Sequence, residues 1–304
     1  MIPDFQTLML PLLDLVKDKK EYRSNDIVDA LAEKFDLSED ERQELLPSGV
    51  DFLFRNRVGW TKTHLKKAGL LDTPRRGFYC ITQRGIDVLK QSPEKINVAF
   101  LRQFPEFLEF RGETKESASE ENINVQSSEQ LQTPEEILDN TYQDLRKALA
   151  QELLDKIQQL SPPFFERLVV DLLVKMGYGG SVKDAGKATG RSGDEGIDGI
   201  IKEDKLGLDI IYIQAKKWQQ GNTVGRPEIQ KFVGALVGQG AKKGIFITTS
   251  SFTKEASEYI LRIETKIVLI DGVYLAQLMI DHNLGVTVQH SYEIKKVNMD
   301  YFEE

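Results

Sequence analysis

The chain has 304 residues, of which 40% are hydrophobic and 29% are charged, and its formal net charge is −8 at pH 7. This length allows two domains that each bury a core, and the composition is that of a soluble globular protein. A single cysteine, Cys80, excludes a disulfide framework, and one cysteine with three scattered histidines argues against a structural zinc site.

The N-terminal stretch MIPDFQTLML carries Asp4 and lacks the basic start of a signal peptide. No apolar run approaches the roughly 18 residues that a membrane-spanning helix needs. We therefore expect a cytoplasmic protein that makes no contact with a membrane.

The first part of the chain predicts helices near 5–17, 24–34 and 48–68, and Gly69 ends the third of them. The stretch LLDTPRRGFYCITQRG follows and predicts a β-hairpin. Three helices followed by a hairpin is the order of a winged helix-turn-helix. We therefore predict a winged-helix DNA-binding domain over residues 1–105.

Basic residues concentrate in the part of this domain that would touch DNA. Between residues 51 and 90, nine Lys or Arg residues stand against three Asp residues, a local charge of +6 (9 − 3). A basic helix that enters a groove and a basic hairpin tip both contact the phosphate backbone. The predicted DNA-binding residues are Lys62, Lys66, Lys67, Arg75 and Arg76. A solvated helix face in a protein-binding domain is the alternative interpretation.

An acidic stretch separates this domain from the rest of the chain. Between residues 106 and 139, ten acidic residues stand against Arg111 and Lys115, a local charge of −8 (2 − 10). The stretch RGETKESASEENINVQSSEQLQTPEE has hardly an apolar residue to bury. We predict a flexible acidic linker over residues 106–132.

A helix then begins with a capping box, in which Thr133 is the cap and Glu136 completes the box. Its apolar residues recur at three- and four-residue steps. They are Leu138, Tyr142, Leu145, Leu149, Leu153 and Ile157. This stripe packs either on the C-terminal domain or on a second subunit, and the sequence leaves both open.

Residues 133–304 predict an α/β domain around a mixed sheet. Ser161 caps a helix, and GIDGIIK and DIIYIQAKKW form two strands joined by a short turn. A helix in RPEIQKFVGALVGQ precedes KGIFITTS, an almost wholly apolar strand that indicates a sheet covered on both faces. A helix from about 253, the strand KIVLID and a helix over 272–283 complete the domain.

Four polar residues of this domain indicate chemistry. Gln214 and Lys216 lie on one face of a strand because side chains alternate along it. Asp198 lies on the preceding strand, and Glu166 lies on or beside the apolar stripe of a helix, where a carboxylate requires a partner. Taken alone, the Gln and Lys also fit an edge strand protected against aggregation.

Together these residues suit the hydrolysis of a phosphodiester. Two carboxylates and an amide oxygen are hard ligands for Mg²⁺, so Asp198, Gln214 and Glu166 are the candidate metal ligands. Lys216 places a cation where it can orient a water or neutralise charge on a phosphate.

Five segments resemble, in the same order, the Mrr family of restriction endonucleases, a branch of the PD-(D/E)XK nuclease superfamily. They are FERLVVDLLVKMGYGG, GDEGIDGII, YIQAKKW, VGRPEIQKFVGAL and GIFITTSSFTKEA. The similarity runs over about residues 150 to 285, and the N-terminal part resembles the winged-helix domain that accompanies the Mrr catalytic domain.

The resemblance implies a restriction-endonuclease-like fold and Mg²⁺-dependent, modification-dependent (type IV) cleavage of methylated double-stranded DNA. It implies that Asp198 is the metal-binding acid, Lys216 the catalytic lysine and Glu166 the helix carboxylate. Gln214 occupies the position of the superfamily's second acid, as is usual in this branch. Glu195 stands where the family pattern often has Gly, and we assign it no catalytic role.

Two alternative functions remain open at this point. One is a winged-helix DNA-binding protein with a non-catalytic C-terminal scaffold, and the other is a repair or junction nuclease. A double-strand break needs two sites on opposite strands or sequential nicking. Because twofold dimers are the commonest closed oligomers, we predict a homodimer or a higher homo-oligomer.

Overall fold

The computed structural model describes residues 1–113, 131–179, 196–203, 209–219, 221–295, 297 and 301. The chain divides into two compact units, residues 1–143 and residues 144–304. In the described ranges, no helix has both the length and the apolar character that crossing a membrane requires.

The first unit contains helices and a small antiparallel sheet. Its helices are α1 (Met9–Leu15), α2 (Ser24–Lys34), α3 (Glu39–Arg42), α4 (Leu53–Lys67), α5 (Gln83–Lys90), α6 (Val98–Leu101) and α7 (Pro105–Arg111). Its strands are β1 (Tyr22–Arg23), β2 (Leu71–Arg75) and β3 (Phe78–Ile81), in the order β1-β3-β2. The hairpin between β2 and β3 turns at Gly77, whose φ of +74° favours glycine. The predicted order of helices followed by a hairpin is therefore present.

The third long helix begins later than the sequence predicts. The backbone N–H of Leu46 donates to the carbonyl of Asp51 at 2.9 Å, and Gly49 between them takes a φ of +70°. This closed turn prevents helical hydrogen bonding before residue 52. As a result, α4 begins at Leu53 instead of near residue 48.

The predicted linker also begins too early. Residues 105–111 form α7, which starts with Pro105 and ends at Gly112 in the left-handed conformation. Phe107 and Leu108 of this helix are buried in the core of the first unit. Residues 106–111 belong to the first unit because these two side chains are part of its core. The acidic composition of the stretch concealed them from the sequence analysis. Residues 114–130 of the predicted linker lie outside the described residues.

Lys62 lies inside the first unit and not on its surface. Its side chain is 7% exposed, its ammonium donates to Ser24 Oγ, and its Nζ lies 4.8 Å from the centre of the Tyr79 ring. This burial contradicts the prediction that Lys62 contacts DNA. Helical spacing placed Lys62 opposite the buried residues of α4, but β3 and the start of α2 cover that face as well.

The second unit is built on a mixed sheet, as predicted. Its helices are α8 (Pro134–Gln159), which begins in the first unit, α9 (Pro162–Lys175), α10 (Arg226–Gly238), α11 (Lys254–Ile260) and α12 (Gly272–Asp281). Its strands are β4 (Gly199–Lys202), β5 (Ile210–Lys216), β6 (Lys243–Thr248) and β7 (Lys266–Ile270). The strand order is β4-β5-β6-β7, in which β4 is antiparallel to β5 and the other pairs are parallel.

Apolar layers cover both faces of this sheet. Ile211 and Ile213 of β5 pack in one core with α9 and α12. Phe246 of β6 packs in the other core with Phe232 and Leu236 of α10. Because side chains alternate along β5, the face opposite Ile211 and Ile213 is the one that α10 borders.

The long helix α8 starts with the predicted capping box. Thr133 Oγ1 accepts from the Glu136 backbone N–H at 3.3 Å, and the Glu136 carboxylate accepts from the Thr133 N–H at 2.7 Å. Arg57 of the first unit forms an ion pair of 2.7 Å with Glu136. At the other end of α8, Leu153 and Ile157 are buried in the core of the second unit.

The first half of the α8 stripe is exposed to solvent. Leu138, Tyr142 and Leu145 keep 45%, 54% and 65% of their surface exposed. Only the C-terminal end of the predicted stripe therefore packs on the second unit.

Burial gives Lys62 a measurable effect on stability. Burial, followed by the charge of Arg55, lowers the pKa of Lys62 from 10.5 to about 8. Since the folded-state pKa lies below the unfolded value, the folded state loses stability as the pH falls from 10.5 to about 8, and the full penalty applies below that. We expect Lys62→Met to stabilise the first unit at neutral pH by on the order of 1–3 kcal/mol, and by much less near pH 10.

The two tryptophans allow this measurement, because Trp60 lies in the first unit and Trp218 in the second. Urea unfolding of a Trp218→Phe protein, followed by Trp60 fluorescence, reports on the first unit. Lys66→Met, at an exposed position, is the matched control and should change stability little at either pH. A Lys62→Met protein that is equally destabilised at both pH values would contradict the prediction.

Candidate active site

The end of β5 is held firmly against β6. Gln214 lies beside Phe246, and Lys216 lies beside Thr248 in the parallel register. The carbonyl of Lys216 accepts from Thr248 Oγ1 at 2.8 Å and from the Thr249 N–H at 3.4 Å. These bonds fix the backbone that carries both polar side chains.

Asp198 is attached to β5 by two hydrogen bonds. Its backbone N–H donates to the Ile213 carbonyl at 2.8 Å, and its Oδ2 accepts from the Ala215 N–H at 2.7 Å. Burial raises the pKa of Asp198, while the Ala215 hydrogen bond and the charge of Lys216 act in the opposite direction. The carboxylate is therefore partly desolvated and lies along the strand that carries Gln214 and Lys216.

Gln214 has an unsatisfied oxygen at this position. The residue is 5% exposed, and its buried Oε1 has no hydrogen-bond partner among the described residues. Leaving such an acceptor unpaired costs about 1–3 kcal/mol, so a group that binds it is favoured. The other side of the carboxamide lies against Gly196, where an added Cβ would be 2.7 Å from Gln214 Nε2.

Glu166 brings a second carboxylate from α9, which packs against β4 and β5. Burial raises the pKa of Glu166, and the charge of Asp198 raises it further. The two carboxylates are therefore close enough to repel each other. A cation between them would remove this repulsion.

The donor set fits a hard divalent cation: two carboxylates and an amide oxygen that lacks a partner. In the described ranges, no group of three or more His, Cys, Asp and Glu residues could hold a metal. A divalent cation held by Asp198 and Glu166 would therefore need a further donor of another type, such as the amide oxygen of Gln214. The structure brings together all four residues that the sequence predicts for this site, and Glu195 lies outside the described residues.

Sequence reasoning missed one charged residue of the site. Glu228, in the first turn of α10, places its Oε2 3.6 Å from the Nζ of Lys216. Its Oε1 accepts from Lys231 at 2.6 Å. An acid in the first turn after a proline is an ordinary feature of a helix start. Only the register of β5 against β6, with α10 packed above them, reveals its proximity to Lys216.

The other predicted DNA-binding residues lie on the surface of the first unit. Lys66, Lys67, Arg75 and Arg76 are exposed. Arg75 pairs with Glu21 at 2.7 Å and stacks 3.7 Å from the centre of the Phe78 ring. Exposed ion pairs of this kind stabilise little, so Arg75 can exchange Glu21 for a phosphate at small cost.

Two family models match the chain. One, described as a restriction endonuclease, matches residues 157–279, and the other, described as the Mrr N-terminal domain, matches residues 5–91. A relative from Escherichia coli (strain K12), the type IV methyl-directed restriction enzyme EcoKMrr, is 37% identical over 313 residues. The match covers 99% of this chain and 99% of that relative.

Two solved structures are also similar. The MspJI restriction endonuclease in complex with a 27-mer oligonucleotide has a TM-score of 0.30 and 23% identity, over 68% of this chain and 49% of that one. The DNA modification-dependent restriction endonuclease AspBHI has a TM-score of 0.36 and 19% identity, over 54% of this chain and 40% of that one. This chain thus spans half or less of the length of either protein, and TM-scores this low say nothing about the site.

The contact between Gly196 and Gln214 predicts a sensitive position. Gly196 has a φ of +96°, and a Cβ there would displace the Gln214 carboxamide. We expect Gly196→Ala to weaken Mn²⁺ binding by about tenfold, as substitutions behind metal ligands typically do. Isothermal titration of the DNA-free protein measures this change.

Gly234→Ala is the matched control, because a Cβ at Gly234 meets no atom within 4 Å. It lies within α10, where alanine favours the helix. Equal Mn²⁺ affinities of the Gly196→Ala and wild-type proteins would show that Gln214 is not a ligand.

Proposed function

Because the chain belongs to the Mrr family of restriction endonucleases, we propose that it is a type IV endonuclease that cleaves methylated double-stranded DNA with Mg²⁺. The observation that carries the chemistry is the unpartnered Gln214 oxygen, on the strand to which Asp198 is bonded and which ends at Lys216. The specificity for methylated DNA is supported by the relative from Escherichia coli, which is a methyl-directed restriction enzyme.

The side chains have separate roles in this proposal. Asp198, Glu166 and Gln214 would hold Mg²⁺, which when bound polarises the scissile phosphate and lowers the pKa of the attacking water. Lys216 binds a phosphate oxygen with its ammonium and stabilises the negative charge that develops in the transition state. Desolvation of Asp198 strengthens these electrostatic interactions.

The catalytic assignment predicts a loss of cleavage without a loss of folding. Asp198→Ala and Lys216→Ala should each lower the single-turnover cleavage rate by about 100-fold or more, since each removes charge that acts at the phosphate. The substrate is a supercoiled plasmid methylated by a defined methyltransferase, in the presence of Mg²⁺. Gln214→Glu should keep part of the activity because it supplies the commoner type of ligand.

Lys254→Ala is the control for this series, because Lys254 is exposed on α11. DNA binding in Ca²⁺ should stay largely intact in all the variants. Nicking by Asp198→Ala or Lys216→Ala at nearly the wild-type rate would reject the site.

The plasmid series also separates the alternative functions. Plasmids methylated by different methyltransferases are compared with unmethylated plasmid. Equal cleavage of all of them indicates a repair or junction nuclease. DNA binding with no cleavage by the wild-type protein under any condition indicates a DNA-binding protein with a scaffold domain.

We further propose that the first unit is a winged-helix domain that reads DNA, while the second unit cuts it. The order of α4, β2 and β3 and the exposed basic residues on α4 and the hairpin support this division. The proposed surface omits Lys62, which is buried. It consists of Lys66, Lys67, Arg75 and Arg76.

Neutralising this surface should weaken DNA binding and flatten its dependence on salt. Each phosphate contact that is lost removes about 0.9 from the slope of log K against log salt. Fluorescence anisotropy with all four residues changed to Gln, over a range of salt concentrations, measures the slope. An unchanged slope would place the DNA surface elsewhere.

The control for charge alone changes Lys17 and Lys90 to Gln. Both are exposed and pair with an aspartate three residues away in the same unit. This double variant should leave the slope near that of the wild-type protein.

We also propose that the protein cuts both strands as a homodimer. The exposed residues Leu138, Tyr142 and Leu145 on α8 are the candidate contact between copies. Mixing wild-type with Asp198→Ala protein tests this, because mixed dimers would nick where wild-type dimers break both strands. A double-strand cleavage rate that falls only in proportion to the wild-type fraction would indicate that one copy makes both cuts.

A further inference from the structure

Lys216 lies within reach of two carboxylates that have different tasks. Its Nζ is 3.6 Å from Glu228 Oε2, and its charge also acts on Asp198, where it opposes the rise in pKa that burial causes. Asp198 is a proposed metal ligand, whereas Glu228 is on α10 and bonds to no other residue of the proposed metal site in the described ranges. An ion pair between Lys216 and Asp198 would neutralise the carboxylate that a cation requires.

Glu228 is fixed in position by the start of α10. Val224, just before this helix, is fully buried, donates from its N–H to the Ser251 carbonyl at 2.8 Å and accepts from the Thr253 N–H at 3.0 Å. Pro227 stiffens the first turn of α10. The backbone around Glu228 is therefore anchored to the segment that follows β6.

Close packing fixes the rest of α10 on the sheet. A Cβ at Gly244 of β6 would lie 2.8 Å from Phe232 and from Leu236. The helix α10 can therefore approach β6 this closely only because position 244 is a glycine. The distance between the first turn of α10 and the end of β5 is thus set by the core and not by the ion pair.

Glu228 also stays charged over a wide pH range. The hydrogen bond from Lys231 lowers the pKa of Glu228, burial opposes this, and the charge of Lys216 lowers it further. The Lys231 Nζ lies 2.6 Å from Glu228 Oε1, which leaves Oε2 directed to Lys216. The exposed Lys231 therefore orients one oxygen of the Glu228 carboxylate, and the other oxygen faces Lys216.

We propose that Glu228 is a positioning residue that holds the Lys216 ammonium away from Asp198, so that Asp198 remains free for the cation and Lys216 for the phosphate. This inference rests on the proposed function, in which both residues act at the scissile phosphate. Without Glu228, Asp198 is the carboxylate of the described site on which the charge of Lys216 acts. The lysine would then compete with the cation for Asp198.

A double-mutant cycle on the DNA-free protein tests this competition. In the protein with Lys216, Glu228→Gln should raise the Kd for Mn²⁺ by about fivefold, and Glu228→Asp should restore part of the affinity. In the Lys216→Ala background, Glu228→Gln should leave the Kd unchanged, because no ammonium remains to compete. The Kd values come from isothermal titration, with thermal unfolding as the check on folding.

The double-mutant cycle distinguishes the positioning of Lys216 by Glu228 from a direct electrostatic effect of Glu228 on the cation. If Glu228 acted only through its own negative charge, Glu228→Gln would weaken Mn²⁺ binding equally in both backgrounds, and the proposal would be overturned. An unchanged Kd in the protein with Lys216 would overturn it as well. Glu258→Gln, which removes an exposed acid that pairs with Lys254 and Arg262 on α11, is the control and should change nothing.

Cleavage assays relate this result to the reaction. Glu228→Gln should lower the single-turnover rate by about fivefold at limiting Mg²⁺ and by less at saturating Mg²⁺, with unchanged DNA affinity in Ca²⁺. A rate loss that is the same at all Mg²⁺ concentrations would contradict the proposed competition. Failure of the proposed function has a different signature, in which Lys216→Ala cleaves as fast as the wild-type protein.

Discussion

The two hydrogen bonds between Asp198 and β5 determine where the charges of the site lie. They join the residue just before β4 to Ile213 and Ala215 of β5, so bonds to the sheet place the carboxylate. A group that is hydrogen-bonded directly to a strand is held more precisely than one on an unattached loop. The positions of Gln214 and Lys216 then follow from the alternation of side chains along β5. The position of Glu166 follows from the packing of α9 on this part of the sheet.

Features with a local cause could be predicted from the sequence. The capping box of Thr133 and Glu136 and the cap at Ser161 depend on residues three positions apart, and both are present. The common face of Gln214 and Lys216 depends only on the alternation of a strand. The mixed sheet followed from apolar runs and helical stripes that alternate along the chain.

Features set by tertiary packing could not be predicted in this way. Lys62 has the spacing of an exposed residue, and only the packing of β3 and α2 against α4 buries it. In the sequence, Glu228 has the pattern of an ordinary acid in the first turn of a helix, and only the register of the sheet places it beside Lys216. The helix α7 was hidden by the acids that surround Phe107 and Leu108. In each case the deciding contact joins residues far apart in the chain or depends on a core that composition does not describe.

The neutral side chain at position 214 bears on how the domain folds before any cation is present. Asp198 and Glu166 already raise the folding cost of the second unit, because both carboxylates are partly desolvated and have raised pKa values. A third carboxylate at the buried position of Gln214 would add a further repulsive charge that only a bound ion could offset. An amide costs one unpaired oxygen instead, so the core of the second unit can form without the cation that the proposed site would bind.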